Sequence, residues 1–169
     1  MPEKQLYKGK LLSLKLKNVS LPNGHQAALE VVKHPGAALT VPFVSKNKII
    51  LLRQFRPVIE TYLYELPAGT LKKGERPLDC ARREIKEETG YSASRFTYLG
   101  AIFPVPGYST EQIHLYRAEG LKRCRGYSCD NDECIESAIV DRPGIKKLFN
   151  QRKIQDAKTI CALALCGWV

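Results

Sequence analysis

Between residues 11 and 19, apolar and polar side chains alternate: Leu12, Leu14 and Leu16 against Ser13, Lys15 and Lys17. A period of two is the pattern of a half-buried strand. Asn23-Gly24 follows, a dipeptide that favours a tight hairpin turn, and residues 27–34 (AALEVVKH) return as a second strand. Pro35-Gly36 breaks the chain. Residues 37–44 (AALTVPFV) and 48–56 (KIILLRQFR) are apolar runs around the polar turn SKNK. Such runs suit strands buried on both faces. Residues 63–68 form one more extended piece, in which Glu65 is either a buried partner or a solvated side chain.

Helical signals begin after Gly74. Pro77 stands where a first helical turn tolerates proline, and Gly90 stands where a left-handed cap ends a helix. On a helix over 77–89, Leu78, Ala81, Ile85 and Thr89 fall in one stripe of roughly 80°, the face that packs on a sheet. Residues 95–103 and 113–118 read as strands around the loop PVPGYST, 120–133 as irregular and 133–140 as a strand. Asp141-Arg142-Pro143 opens a helix through residue 150, and Asp156 caps a final apolar helix. Strands, a helix, strands and then helices make a mixed α/β domain, with a mixed or antiparallel sheet between helices.

At 169 residues the chain is long enough for one domain with a real core. We expect a single domain over 1–169, with N-terminal strands in 1–35 and a catalytic part in 36–169. No stretch nears the roughly 18 apolar residues of a membrane span, and the N-terminus has no apolar run with a small-residue cleavage site. The expected location is cytoplasmic. None of the six cysteines forms a C-x-x-C pair, so free thiols are expected rather than a zinc knuckle. Cys80, Cys161 and Cys166 read as small core residues.

The formal net charge is +10. Basic residues gather at Lys4, Lys8, Lys10, Lys15 and Lys17, and again from Arg142 to Lys153. Such a field draws anionic molecules. No basic run carries interleaved aromatics, so a small anionic substrate is favoured over nucleic acid.

Against that background the carboxylates of the 77–89 helix are out of place. Glu84, Glu87 and Glu88 are i, i+3, i+4 neighbours beside the buried stripe, and like charges at that spacing destabilise a bare helix. They suit a hard divalent cation, whose shell is carboxylates and waters. Arg83 lies four residues before Glu87 and can orient it, Glu75 sits at the loop–helix junction, and backbone carbonyls of the glycine loop, such as that of Ala68, can join the shell. A carboxylate-held Mg²⁺ binds phosphate oxygens, which suggests metal-assisted hydrolysis of a phosphate ester or anhydride.

Gly69, five residues, Glu75, seven residues, then Arg83-Glu84-Ile85-Lys86-Glu87-Glu88-Thr89-Gly90-Tyr91 resembles the Nudix box at its fixed positions. The resemblance implies a Nudix-type α/β/α sandwich with a mixed sheet, here preceded by N-terminal antiparallel strands. It implies Mg²⁺-dependent cleavage, with Mn²⁺ as the alternative ion, of a nucleoside diphosphate linked to another group. Glu84 and Glu88 are then the main metal ligands, supported by Glu87, Glu75 and the Ala68 carbonyl. KIILLRQFRPVIETYLYELPAG and FPVPGYSTEQIHLYRA are similar to the corresponding segments of the ADP-ribose pyrophosphatase and nucleoside diphosphate sugar hydrolase branch, as are NDECIES and IQDAKTICALAL. This similarity implies substrate contacts from Arg53, Arg56, Pro106, Gly107 and Tyr108. It implies that Glu111, on a loop that closes on the substrate, positions or deprotonates the attacking water, unless a box glutamate such as Glu87 does so. Phe55 and Tyr108 are candidates to flank the base, and His114 reads as structural. The branch commonly forms a symmetric dimer through its N-terminal strands. Here that region is rich in lysine and ends at His34, which leaves the terminal sugar open. Dinucleotides, nucleoside triphosphates, capped RNA and a silent nucleotide-sensing role are the competing readings.

Overall fold

The computed structural model describes residues 3–124 and 135–169. Three strands, β1 (Lys4–Lys8), β2 (Ser13–Ser20) and β3 (Gln26–Lys33), form an antiparallel N-terminal sheet. The alternation read over 11–19 falls on β2 only from Ser13; Leu11 and Leu12 lie before the strand and are exposed, and burial along β2 does not alternate. Asn23-Gly24 lies in its hairpin, with Gly24 at φ 83°. The short strand β1 has no alternation long enough to read; it exists because it pairs with β2.

The main sheet runs β10 (Ile135–Asp141), β5 (Lys48–Arg56), β4 (Ala37–Ser45), β9 (Ile113–Arg123), β8 (Tyr91–Ile102). It is mixed: β4 and β9 are parallel, while β5 is antiparallel to β4 and β10, and β8 to β9. Helix α1 (Pro77–Thr89) covers one face, where Ala38 and Tyr116 meet Cys80 and Ala81. Helices α2 (Arg142–Asn150) and α3 (Ala157–Leu165) cover the other, where Leu39, Val41, Phe43 and Leu115 meet Ile145, Leu163 and Trp168. The result is the expected α/β/α sandwich. Alternation along β4 sends Ala38 to one layer and Leu39 and Val41 to the other, which is why its sequence is apolar throughout. Among the described residues, no helix is long and apolar enough to cross a membrane.

The helix signals agree with the structure. Pro77 opens α1 and Gly90 caps it at φ 73°. The Asp141 side chain accepts from the Gly144 N–H, and that of Asp156 from the Thr159 N–H. Several strand bounds differ. β8 begins at Tyr91 rather than 95, because its first residues are held by β9, Tyr91 opposite Arg123. β9 itself continues to Arg123, beyond the expected end at 118. The piece expected at 63–68 is two strands, β6 (Thr61–Glu65) and β7 (Ala68–Thr70). The irregular reading of 120–133 fails for its first residues, which are strand; positions 125–134, with Cys129, Cys134 and the start expected for β10, lie outside the described residues. Cys80, Cys124, Cys161 and Cys166 are free, and of these Cys80 is buried.

One departure from regular pairing creates the site. β4 and β5 pair only next to their turn, Phe43 with Ile49 and Ser45 with Lys48. Beyond it they diverge. β5 takes β6 as its partner, from Leu52 opposite Glu65 to Arg56 opposite Thr61. β4 takes β7, with Ala37, Ala38 and Leu39 opposite Thr70, Gly69 and Ala68.

Candidate active site

A cleft of about 480 Å³ opens at this fork. The strands contribute Ala37, Gln54, Arg56 and Ala68–Thr70, helix α1 contributes Glu84 and Glu88, and the loop before β9 contributes Glu111. Asp156, Ala157 and Lys158 at the start of α3 complete the lining with Pro104 and Ile113. The sheet thus gathers Arg56, Ala68, Glu84, Glu88 and Glu111 into one cavity.

The α1 carboxylates are fixed from two sides. Glu88 is buried, and its Oε2 accepts a hydrogen bond of 3.0 Å from the Ala68 N–H. Glu84 lies against the backbone of Gly69. A Cβ at position 69 would stand 1.7 Å from Glu84 Oε1 and 2.0 Å from its Cδ. The carboxylate occupies the space that a side chain at 69 would fill, so any larger residue there would displace it.

Arg83 sits among the other acids. Its Nε and Nη2 contact Glu75 at 2.9 and 3.0 Å, and its Nη1 reaches Glu84 at 2.5 Å and Glu87 at 2.8 Å. Nη2 also donates to the Thr70 carbonyl at 3.2 Å. The Arg83 guanidinium holds the Glu75 carboxyl down at about 2, overcoming the opposing effect of burial, with help from the Lys72 N–H. Arg83 is itself raised above its ordinary value, first by the Glu75 hydrogen bond. This answers how three glutamates share one helix face: the guanidinium offsets the repulsion at Glu84 and Glu87, while Glu88 accepts from the Ala68 N–H. The orienting contact to Glu87 expected from i, i+4 spacing is present, and the same side chain organises Glu75 and Glu84. Burial, and then the nearby Glu84, push the Cys80 thiol up to about 12, so it is an inert neighbour.

Among the described residues, no three His, Cys, Asp or Glu side chains are gathered as a ready metal cage. Glu75 and Glu87 are turned to Arg83 and do not line the cleft, whereas Glu84, Glu88 and Ala68 do. Two carboxylates and a nearby backbone carbonyl, facing a cavity roomy enough for waters, are a donor set that fits a hard divalent cation.

Glu111 is held through its loop, its own N–H donating to Ser109 Oγ at 3.1 Å. The strand end before β4 clamps its loop: Val32 N–H donates to the Tyr108 carbonyl at 2.7 Å and Thr110 N–H to the Val32 carbonyl at 3.0 Å. His34 N–H donates to Thr110 Oγ1 at 3.1 Å, and Ala37 N–H to the Gln112 carbonyl at 2.9 Å. The Glu111 carboxylate is 3.6 Å from His34 Nδ1.

On β5, Gln54 and Arg56 point into the cleft, and the period of two sends Arg53 to the other face. There Arg53 pairs with Glu136 at 3.3 Å and lies 3.8 Å over the Tyr62 ring. Phe55 packs on Tyr62. Pro106, Gly107 and Tyr108 do not line the cleft of this single chain; Tyr108 is exposed and its carbonyl serves the clamp. His114 lies within 3.3 Å of the Tyr98 hydroxyl and beside its ring, as a structural histidine does. Asp156 was legible as a helix cap but not as part of the cleft, and neither was Lys158, since nothing local distinguishes an aspartate cap and a first-turn lysine from ordinary helix ends. Glu65, left open from sequence, is a buried partner: it is 1% exposed and bound to Arg56 and Lys158.

Comparison with known proteins supplies independent support. The model of the NUDIX domain matches residues 33–145. The chain is 39% identical to the ADP-ribose pyrophosphatase of Bacillus subtilis (strain 168), over 95% of this chain and 88% of that protein. It is 36% identical to the methanol dehydrogenase activator of Bacillus methanolicus, over 94% and 86% of the two chains. A crystal structure of an ADP compounds hydrolase superposes with a TM-score of 0.82 at 22% identity, covering 98% of this chain and 89% of its own, a likeness of fold.

Proposed function

The chain belongs to the NUDIX domain family, and from that premise we propose that it hydrolyses the pyrophosphate bond of ADP-ribose or a related nucleoside diphosphate sugar. The products are a nucleoside monophosphate and a sugar phosphate. The observation that carries this reading is the convergence of Glu84, Glu88, Ala68, Arg56 and Glu111 on one cleft.

Glu84, Glu88 and the Ala68 carbonyl would hold the divalent ion, with Mg²⁺ the expected species. Such an ion neutralises charge on the pyrophosphate and lowers the pKa of a bound water. The chain's own groups do the rest. Arg56 offers a planar fork to phosphate oxygens. Glu111 takes a proton from the attacking water, a role supported by its position in the cleft lining. Arg83 keeps Glu75, Glu84 and Glu87 in register. The exposed Leu6, Tyr7 and Leu29 on the N-terminal sheet, with Leu12 in its first turn, support a homodimer through residues 1–35. We place the enzyme in the cytoplasm and assign it no nucleic-acid partner.

The test is a release assay with Mg²⁺ and a coupled phosphatase, over ADP-ribose, other nucleotide sugars, dinucleotides, nucleoside triphosphates and capped RNA. The reading expects phosphatase-sensitive monoesters from ADP-ribose or a nucleotide sugar, and none after chelation. Turnover confined to triphosphates or RNA would overturn it.

A further inference from the structure

Glu65 is a buried carboxylate with two cations on it. Arg56 donates side-on, Nε to Oε1 and Nη2 to Oε2, both at 2.6 Å. Lys158 Nζ reaches Oε2 at 2.5 Å and Asp156 Oδ1 at 2.8 Å. The other Asp156 oxygen caps α3 through the Thr159 N–H, and Thr159 Oγ1 accepts from the Leu66 N–H at 2.9 Å. The end of β6 is therefore fastened to both β5 and α3 around one charge.

We propose that Glu65 is a positioning residue that presets Arg56 and Lys158 as a pair of cations for the two phosphates of a nucleoside diphosphate; this rests on the diphosphate reading of the cleft. The donor count supports it. A guanidinium has five N–H donors and an ammonium three. Glu65 engages one edge of Arg56 and leaves the Nη1 edge for an anion. Lys158 spends two donors on Glu65 and Asp156 and keeps a third. Both side chains line the cleft, and Glu65 stands behind them. A buried carboxylate is costly unless paired, so its pairing with these two long side chains fixes them before the ligand arrives, and preorganised groups lose less entropy on binding. Burial pushes the Glu65 carboxyl up, but the Arg56 and Lys158 bonds outweigh it and hold it below the usual value, so the network is ionised at neutral pH.

The experiment compares Glu65→Gln, Arg56→Lys and their combination with the unsubstituted enzyme, on ADP-ribose with Mg²⁺. Folding is checked by circular dichroism. The proposal expects Glu65→Gln to raise KM about tenfold with kcat within about threefold. It expects the KM increase from Arg56→Lys, about tenfold alone, to shrink below about threefold in the Glu65→Gln background. A folded Glu65→Gln protein with unchanged KM, or two effects that multiply independently, overturns it. Should Glu65→Gln not fold, Lys158→Met decides: a KM increase of about threefold or more supports the pair, and an unchanged KM overturns it. If the unsubstituted protein turns over no nucleotide sugar, the substrate reading fails by itself. Titration with inorganic pyrophosphate then decides this proposal: a Kd weakened about tenfold by Glu65→Gln supports it, and an equal Kd, or no binding, overturns it.

Discussion

Gly69→Ala adds one methyl group at the most crowded point of the site. The new Cβ would lie 1.7 Å from Glu84 Oε1 and 2.0 Å from Cδ. Ordinary contact between such atoms begins near about 3.4 Å, so the carboxylate must withdraw by about 1.5 Å or the strand must yield. A misplacement of about 1 Å in a catalytic group costs on the order of 10²-fold in rate. The expected outcome is a kcat for the preferred nucleotide sugar at least about 100-fold lower, with a stability loss of only about 1–2 kcal/mol, because the flexible Glu84 side chain absorbs most of the clash. Steady-state kinetics and thermal melts measure both. A second pair of variants isolates the cause. In a Glu84→Ala background the carboxylate is gone, so Gly69→Ala there should leave the melting temperature within about 1–2 °C of its parent. A Gly69→Ala enzyme within about threefold of full activity, or one equally destabilised with and without the Glu84 carboxylate, refutes the reasoning.

Other substitutions probe the remaining contacts. Arg83→Ala leaves Glu75, Glu84 and Glu87 facing one another and should lower stability by about 1–2 kcal/mol at neutral pH, less than a fully buried pair because solvent screens the cluster, read by urea unfolding. That loss should depend on pH with a definite sign. Glu75 is held at about 2 against an ordinary 4.5, so its contribution is full above about pH 4.5 and fades as pH falls toward 2; the gap between Arg83→Ala and the parent should narrow over that window, and a constant gap would contradict the assignment. Glu111→Gln should reduce kcat by roughly 10²–10⁴-fold with little change in KM, if its carboxylate takes the water proton. Thr110→Val loses the hydroxyl that accepts from His34 N–H and should lower kcat about tenfold through the loosened Glu111 loop, with the melting temperature little changed.

What was legible in the sequence was local. The α1 face, its proline start, its glycine cap and the i, i+4 contact from Arg83 to Glu87 all follow from residues within one or two turns of each other. So does the apolar pattern of β4 and β5. What was not legible was pairing at long range. Nothing in the run through residue 56 announces that β5 leaves β4 for β6, and that divergence opens the cleft. Alternation puts Arg53 and Arg56 on opposite faces of β5, but nothing local says which face meets the cleft and which meets Tyr62 and Glu136. Glu65 and Lys158 are 93 positions apart, and neither carries a local sign of the other.

The same distances bear on how the site holds its shape. Four charged groups of the cleft are tied to elements away from them in sequence: Glu88 to Ala68, Glu84 to Gly69, Arg56 through Glu65 to Lys158, and Glu111 through Thr110 to His34. Long-range ties of this kind close only when the sheet has formed, so the donor geometry cannot persist in a partly folded chain. Arg83, which does not line the cleft, differs: most of its partners lie on its own helix or at the loop leading into it. Heating should therefore loosen the cleft and the fold together, while the α1 cluster keeps its contacts as long as the helix survives. Hydrogen exchange measures this directly: the amides of Ala68, Leu66 and Thr110 should share the protection of the core strands, and faster exchange at those three positions than in β4 would show that the site opens independently of the fold.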